Sequence, residues 1–351
     1  MTSPAAEPAF DADAFTSLLG RLSAGEDLSL DEMRWAIGAV MTGRVGEESI
    51  ALLLTSLAAK GETVDEVAGA ALALRENMTP IRSSRTGLVD TCGTGGGGSK
   101  TFNISTTAAI VAAAAGAPVA KHGNRSVTSR TGSADVLAEL GVNIEASVPQ
   151  VEACLDQLGL CFCFAPLMHP AMKHVGAVRK KLGIRTIFNV LGPLANPAGA
   201  PRQLLGAGLQ ELRPLLAGAM QRLGTEHTLV VSGEDGMGDV TITGATRVSE
   251  VTAEGAREFV WTPEDFGVER SGASGLEVES PAHSAAVIRK ILKGAPGAAR
   301  DIVVLNAAAA LIAAGKADSP RDGARLAAEA INSGAAHGLL ANLAELSHAP
   351  V

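Results

Sequence analysis

The sequence predicts an α/β fold class: a small N-terminal helical domain, then a large α/β domain with a mostly parallel central sheet flanked by helices. Three observations carry this. Residues 10–78 show helical periodicity, caps and breakers, with no strand signal. After residue 85, short apolar or β-branched runs alternate with Ala-rich helical stretches, the βαβα rhythm of a parallel sheet. Two polar loops fall where strands give way to helices, the edge at which open α/β sheets bind ligands. At 351 residues the chain can hold one large or two moderate domains with full cores.

The elements follow in order. Residues 1–9 read as a disordered tail. Phe10, Phe15, Leu18, Leu19 and Leu22 form one apolar stripe, ended by Gly25. Ser29 and Glu32 make a capping box before a helix through Met41, and Gly43 stops it. A helix over 47–59 stops at Gly61. Thr63 and Glu66 cap another, running to Asn77. Pro80 and Ser83-Ser84 mark a boundary, so the helical domain spans 1–84.

Beyond it, strands are expected over 88–91, 118–121, 161–164, 203–208 and 228–231, with a short one near Asn143-Ile144. Helices are expected over 105–115, 133–140, 148–158 and 211–223. Residues 166–194 are basic and largely helical. Helices from about 166–190 are expected to pack back on and complete the N-terminal domain, leaving 85–165 and 191–351 as the α/β domain. Residues 234–262 alternate polar and β-branched residues like a meander of short strands. Three or four Ala-rich helices close the chain from about 282 to 346. No internal repeat is visible.

Composition narrows the function. A net charge of −8 argues against a general nucleic-acid binder, while leaving room for a local basic pocket. Aromatics are few and Tyr is absent, so the core must pack closely on aliphatic side chains. Cys92, Cys154, Cys161 and Cys163 lack the spacing of a zinc site and read as reduced core thiols of a cytoplasmic protein. The acidic start has no basic region before an apolar core, so no signal peptide is expected. No stretch of membrane-spanning length lacks charges or breakers.

The first chemical motif is residues 89–106, VDTCGTGGGGSKTFNIST. An apolar lead-in runs into a loop holding Gly93, Gly95, Gly96, Gly97 and Gly98, then into a small-residue helix. Glycines let backbone N–H groups approach phosphate oxygens, and the free N–H groups of a helix start favour an anion. Thr94, Ser99, Thr101, Asn103, Ser105 and Thr106 add short polar side chains, and Lys100 adds a cation. The pattern is neither a P-loop nor a dinucleotide fingerprint.

The second motif, Lys121-His122-Gly123-Asn124-Arg125-Ser126, sets a cation, an imidazole, an amide and a guanidinium after a strand. Alone it reads equally as a solvated turn; beside the Gly loop it makes a polyanion site, extended by Ser129 and Ser133. The basic segment supplies Lys173, His174, Arg179, Lys180, Lys181 and Arg185. Lys180 and Lys181 read as a solvated face, whereas Arg179 turned into a cleft would take a carboxylate bidentately. His169 reads equally as a core histidine or a ligand contact. Glu234, Asp235 and Asp239, after another strand, read as an acidic turn or as ligands for Mg²⁺ opposite a phosphate.

GTGG…TFNIST, KHGNR, the block APLMHPAMKHVGAVRKKLGIRTIFNVLGPLANPA and the late acidic turn resemble, in this order, the anthranilate phosphoribosyltransferase family. The resemblance covers nearly the whole chain. It implies transfer of a phosphoribosyl group from 5-phosphoribosyl 1-pyrophosphate to anthranilate, in tryptophan biosynthesis, with Mg²⁺ as cofactor and a homodimer through the helical domain. Neither nucleic acid nor membrane is an expected partner. Carried over by motif, donor-binding residues would be Gly93, Thr94, Gly95, Gly96, Gly97, Thr101, Asn103, Ile104, Ser105, Thr106, Lys121, His122, Gly123, Asn124, Arg125, Ser126, Val127, Thr128, Ser129 and Ser133. Anthranilate would meet Asn124 and Arg179, with Gly93, His122, His169 and Gly192 near its path. Ser105 and Asp239 would hold Mg²⁺, with Asp235 or Glu234 as substitutes.

Two departures matter. The family usually has Asp after GTGG, where this chain has Gly97, and an Asp-Glu pair where it has Gly238-Asp239. Two carboxylates are thus absent from the magnesium side, which leaves the number of ions, one or two, open. No covalent nucleophile is evident; Lys121 and Arg179 would act by electrostatics and positioning, in a single displacement with inversion at ribose C1. Two alternatives share the architecture: a pyrimidine nucleoside phosphorylase, whose Lys-His-Ser ahead of the glycines is missing from Asp90-Thr91-Cys92, and a non-catalytic nucleic-acid-binding relative.

Overall fold

The computed structural model describes residues 10–95, 100–126 and 130–350. The expected tail at 1–9 and the loop residues Gly96, Gly97, Gly98, Ser99, Val127, Thr128 and Ser129 lie outside the described residues. The chain divides into two compact units, Met1–Met78 with His169–Leu191, and Thr79–Met168 with Gly192–Val351.

In the first unit, α1 (Ala12–Ser23), α2 (Leu30–Met41), α3 (Glu47–Lys60) and α4 (Val64–Glu76) follow the stripes and stops of the sequence. Both capping boxes form: Ser29 with Glu32 on α2, and Thr63 with Glu66 on α4. Glu66 has a second role. Its buried carboxylate also accepts from Leu28 N at 3.0 Å and Lys60 Nζ at 3.0 Å, tying three elements together. Gly69 is required where α4 crosses α2, because a Cβ there would stand 2.2 Å from Leu30 O.

In the second unit, seven strands form one sheet of order β3-β2-β1-β4-β5-β6-β7. In sequence they are interleaved with the helices: β1 (Val89–Gly93), α5 (Ile104–Ala114), β2 (Val119–Gly123), α6 (Ser133–Glu139), α7 (Val148–Leu158), β3 (Leu160–Phe164) and α8 (Ala165–Met168). The chain then makes a short 3-10 turn, Pro170–Met172, and adds α9 (Lys173–Leu182) and α10 (Phe188–Leu191) to the first unit. Lys181 of α9 pairs with Glu47 of α3 at 2.5 Å there. The sheet resumes with β4 (Arg202–Gly206), α11 (Leu212–Arg222), β5 (His227–Gly233), β6 (Thr246–Thr252) and β7 (Gly255–Trp261). Four helices close the chain: α12 (Pro281–Leu292), α13 (Ala298–Ala313), α14 (Pro320–Asn332) and α15 (Ala335–Leu346). β1 to β5 run parallel; β6 and β7 are antiparallel additions at one edge.

The structure corrects several sequence readings. No strand forms at Asn143-Ile144: Asn143 Oδ1 accepts from Glu145 N at 3.1 Å, and Asn143 N donates to Ser347 Oγ at 2.9 Å, which makes a turn. The meander over 234–262 is one hairpin, β6–β7, preceded by a loop that Asp235 folds onto itself. β1 and β2 each run two residues further than expected, to Gly93 and Gly123, so His122 joins Lys121 in the strand rather than opening the loop. β3 is buried along its length, as the Cys-Phe repeat implied.

Candidate active site

The order 3-2-1-4-5 places β1 at the point where the sheet's winding reverses, with β2 on one side and β4 on the other. In open sheets of this kind ligands bind at the carboxyl ends of the strands beside that point. The Gly loop leaves β1 and the KHGNR loop leaves β2, so these two loops are neighbours by topology. Their far ends also converge. Phe102 N donates to Leu276 O at 2.9 Å, Val278 N to Lys100 O at 2.9 Å, and Arg130 Nη1 to Val278 O at 3.2 Å. Thr101 bridges Glu277. The segment 276–278 therefore anchors both loops, a relation no local sequence signal carried.

Around the first loop, Thr94 N donates to Gly206 O at 3.0 Å and Thr94 Oγ1 accepts from Gly208 N at 3.1 Å, fixing the loop on β4. Gly93 and Gly95 are exposed, the latter with φ +65°. Asn103 precedes α5, but its side chain does not cap the helix. Its Oδ1 accepts from Thr131 Oγ1 at 3.0 Å and Ser284 Oγ at 2.8 Å instead. Ser105 is half-buried in the first turn of α5. Ile104 and Thr106 are buried, and Ile104 N already donates to Phe102 O at 2.8 Å. Gly96 and Gly97 lie outside the described residues.

The second loop folds onto the start of α6. Asn124 O accepts from Ala134 N at 3.2 Å and Ser133 Oγ at 3.3 Å. Gly123 has no room for a side chain, since a Cβ would stand 2.1 Å from Ser133 Oγ. Asp135, which the motif reading passed over, is the clasp: it accepts from Ser126 N at 3.0 Å, Gly132 N at 2.9 Å and Arg125 Nη1 at 3.2 Å. Its place in a capping-box register after Gly132 was the available signal. Asn124 and Arg125 are exposed; Val127, Thr128 and Ser129 lie outside the described residues.

Beneath the loops lies a buried polar layer. Lys121 is 3 % exposed and its ammonium donates to Thr91 O, while Thr91 Oγ1 donates to Ser105 O at 3.0 Å. Burial lowers the Lys121 pKa from its usual value, opposed by the charges of Asp90 and Asp239. Asp90 is buried, and desolvation raises its pKa despite Lys121. His122 Nδ1 meets Gly192 O at 3.0 Å, so those two expected site residues are joined. Burial likewise raises the Cys92 thiol well above its usual pKa, which makes it an unreactive packing group. All four cysteines are free.

The acidic turn separates into roles. Asp235 spends its carboxylate on Met237 N at 3.0 Å, Thr243 Oγ1 at 2.6 Å and Thr241 Oγ1, so it holds the turn's shape. Glu234 is exposed. Asp239 is half-buried, and burial with the neighbouring Asp235 charge raises its pKa to about 6, opposed by Lys121. Gly238 presents no side chain; a Cβ there would stand 3.1 Å from Gly208 N. Among the described residues no three metal-binding side chains cluster. Asp239 with the Ser105 hydroxyl fits an ion held mainly by a ligand's phosphates, and does not fit one caged by protein alone.

Arg179 and His169 belong to the first unit. Arg179 is half-buried with its guanidinium carbon 5.5 Å from the Phe188 ring centroid, and burial lowers its pKa. His169 is buried. Lys180, Lys181, Lys173 and Arg185 are exposed, and His174 packs on Gly43.

Comparison with known proteins supplies the chemistry's name. Residues 85–337 match the glycosyl transferase family a/b domain, and 16–78 match that family's helical bundle domain. The chain is 46 % identical to an anthranilate phosphoribosyltransferase of Rhodopirellula baltica over 98 % of this chain and 100 % of that one. It is 51 % identical to one from Thioalkalivibrio sulfidiphilus, over 88 % and 92 % respectively. The crystal structure of anthranilate phosphoribosyltransferase from Thermus thermophilus superposes with a TM-score of 0.89 at 42 % identity, covering 94 % of this chain and 99 % of that one. The Saccharomyces cerevisiae enzyme in complex with PRPP and Mg gives 0.88 at 27 % identity, over 96 % and 98 %.

Proposed function

The chain belongs to the anthranilate phosphoribosyltransferase family, and from that premise we propose how its residues perform the reaction. It transfers the phosphoribosyl group of 5-phosphoribosyl 1-pyrophosphate to the amine of anthranilate, releasing pyrophosphate, in tryptophan biosynthesis. The observation that carries the assignment of residues is the pair of donor-rich loops on adjacent parallel strands, with the Lys121 charge buried beneath them.

Breaking the ribose C1–pyrophosphate bond builds positive charge on the ribose and negative charge on the leaving group. The Gly loop meets the anion with backbone N–H groups of Gly93, Gly95 and the start of α5, and Asn124, Arg125 and Ser133 close the second side. Lys121 acts from below as a fixed charge in a low-dielectric layer, where its field is little screened. Mg²⁺ bound with the donor supplies further neutralisation of the pyrophosphate, and Ser105 and Asp239 are its protein ligands. One ion fits the carboxylates available. Arg179 and Asn124 bind anthranilate, with His169 and Gly192 beside its path; the Arg179 guanidinium carbon lies 5.5 Å from the Phe188 ring centroid, a cation–π contact. The amine needs no strong base to attack a developing cation, so positioning supplies the remaining acceleration.

Exposed Trp35 and Leu52 on α2 and α3 support a homodimer through the helical unit. Four free thiols support a cytoplasmic location. Neither alternative on the same architecture is favoured.

Steady-state kinetics on both substrates test the assignments. Lys121→Met should raise the donor KM about tenfold or more while moving the anthranilate KM little. Arg179→Ala should do the reverse. Equal effects on both substrates would remove the residue concerned from its assigned side.

A further inference from the structure

The parallel ladder between β1 and β2 opens just where the two loops must part. The β1–β2 register is Val89↔Val119, and Val89 N donates to Pro118 O at 2.9 Å. β1 meanwhile pairs with β4, and β2 with β3, along all five residues. Continued one step, a parallel ladder would join Thr91 N to Ala120 O and His122 N to Thr91 O. Side chains take those positions instead. His122 N donates to Asp90 Oδ1 at 3.1 Å. Ala120 O accepts from Asn196 Nδ2 at 2.7 Å. Thr91 O accepts from Lys121 Nζ. Asn196 Nδ2 also donates to Asp90 Oδ2 at 2.8 Å, closing the set, and the Cys92 thiol donates to the same oxygen at 3.3 Å. Asp90 is 1 % exposed and Asn196 6 % exposed.

We propose that Asp90 and Asn196 form a positioning pair: a polar wedge that holds the carboxyl ends of β1 and β2 apart and so sets the spacing of the two donor loops. Neither residue touches substrate. A closed ladder would draw Gly93 and Gly123 to the ordinary strand spacing of about 4.8 Å and narrow the space for the diphosphate. An apolar wedge of the same size would leave Ala120 O and His122 N buried without partners, which is costly. A carboxylate facing a carboxamide gives His122 N and Ala120 O their partners while keeping the strands open, and Lys121 Nζ serves Thr91 O. Asn196 lies only four residues past Gly192, whose carbonyl meets His122 Nδ1 at 3.0 Å, so the wedge also seats the chain where it re-enters the α/β unit.

The inference rests on the donor site lying at these loops, and the experiment separates the two. Asp90→Asn, Asn196→Asp and the exchanged double variant Asp90→Asn/Asn196→Asp are compared in donor and anthranilate kinetics and in melting temperature, with Lys121→Met alongside. Asp90→Asn sets two amide N–H₂ groups against each other, and Asn196→Asp sets two carboxylates together. Each single change should raise the donor KM about tenfold or more, with a smaller change in kcat. The double variant restores one donor facing one acceptor between the two side chains but leaves Ala120 O against a carboxylate, so it should recover only part of the loss. Strictly additive losses in a folded double variant, or an unchanged donor KM in a folded single variant, would overturn the wedge. Asn196→Ala, which deletes the amide without adding charge, serves if the charged exchanges do not fold; an unchanged donor KM there also overturns it. If Lys121→Met too leaves the donor KM unchanged, the donor-site assignment itself has failed.

Discussion

The carbonyl of Gly238 occupies the place where a side chain on Gly206 would begin: a Cβ on Gly206 would stand 1.9 Å from that oxygen. The last residue of β4 is thus welded to the acidic turn that carries Asp239, and the contact is backbone on backbone. Gly206→Ala should therefore destabilise the chain by about 3 kcal/mol or more, because neither partner is a flexible side chain that can move aside. Thermal unfolding followed by circular dichroism checks this. A loss near zero would mean that the turn shifts freely.

Asp239 lies at the far side of that weld. With Gly238 beside it and the Asp235 carboxylate committed to Thr241 and Thr243, Asp239 is the carboxylate to which the proposed function assigns the metal. Asp239→Asn should raise the magnesium concentration for half-maximal activity by about tenfold. A Mg²⁺ titration at saturating donor measures it, and an unaltered midpoint would move the ion elsewhere.

Asp135 holds the second loop through three donors, Ser126 N, Gly132 N and Arg125 Nη1. Asp135→Ala should cost about 1–3 kcal/mol of stability, the usual loss when a hydrogen-bonded carboxylate is deleted from a partly buried network. Its larger signature should be kinetic, a donor KM raised with the anthranilate KM unmoved. Equal changes in both would show that Asp135 acts only on overall folding.

A pH effect is expected in the helical unit. The Arg21 guanidinium and the Ser29 amide and hydroxyl hold Glu32 down from 4.5 to about 2. A depressed carboxylate contributes stability that is fully present above the unfolded pKa and is lost as pH falls through the folded one, here between 4.5 and about 2. The pair is partly exposed and screened, so the contribution is about 1 kcal/mol or less. Glu32→Gln should lower the urea midpoint at pH 6, and the difference from wild type should shrink towards pH 3. A difference that is constant with pH would assign the effect to helix packing.

Much of this was legible locally. Capping boxes at Ser29 and Thr63 and the glycine stops gave the first four helices nearly to the residue, because caps and breakers act within one turn. The Cys-Phe run gave β3. The strand over Asn143-Ile144 failed for a non-local reason: its polar groups are taken by Ser347, some two hundred residues away. His122 was read as a loop residue, because nothing in its neighbours shows that β2 continues to Gly123.

The residues that bind an anion were determined by the sequence itself: a Gly loop and a basic loop, each following a strand, carry their chemistry in their composition. Which groups stand beneath those loops was decided only by the tertiary structure. Asp90 comes from β1, Asn196 from a segment more than a hundred residues later, and the anchor at 276–278 from later still. Backbone propensity acts over a few residues, whereas a buried carboxylate takes its partners from whichever strands the sheet order makes its neighbours.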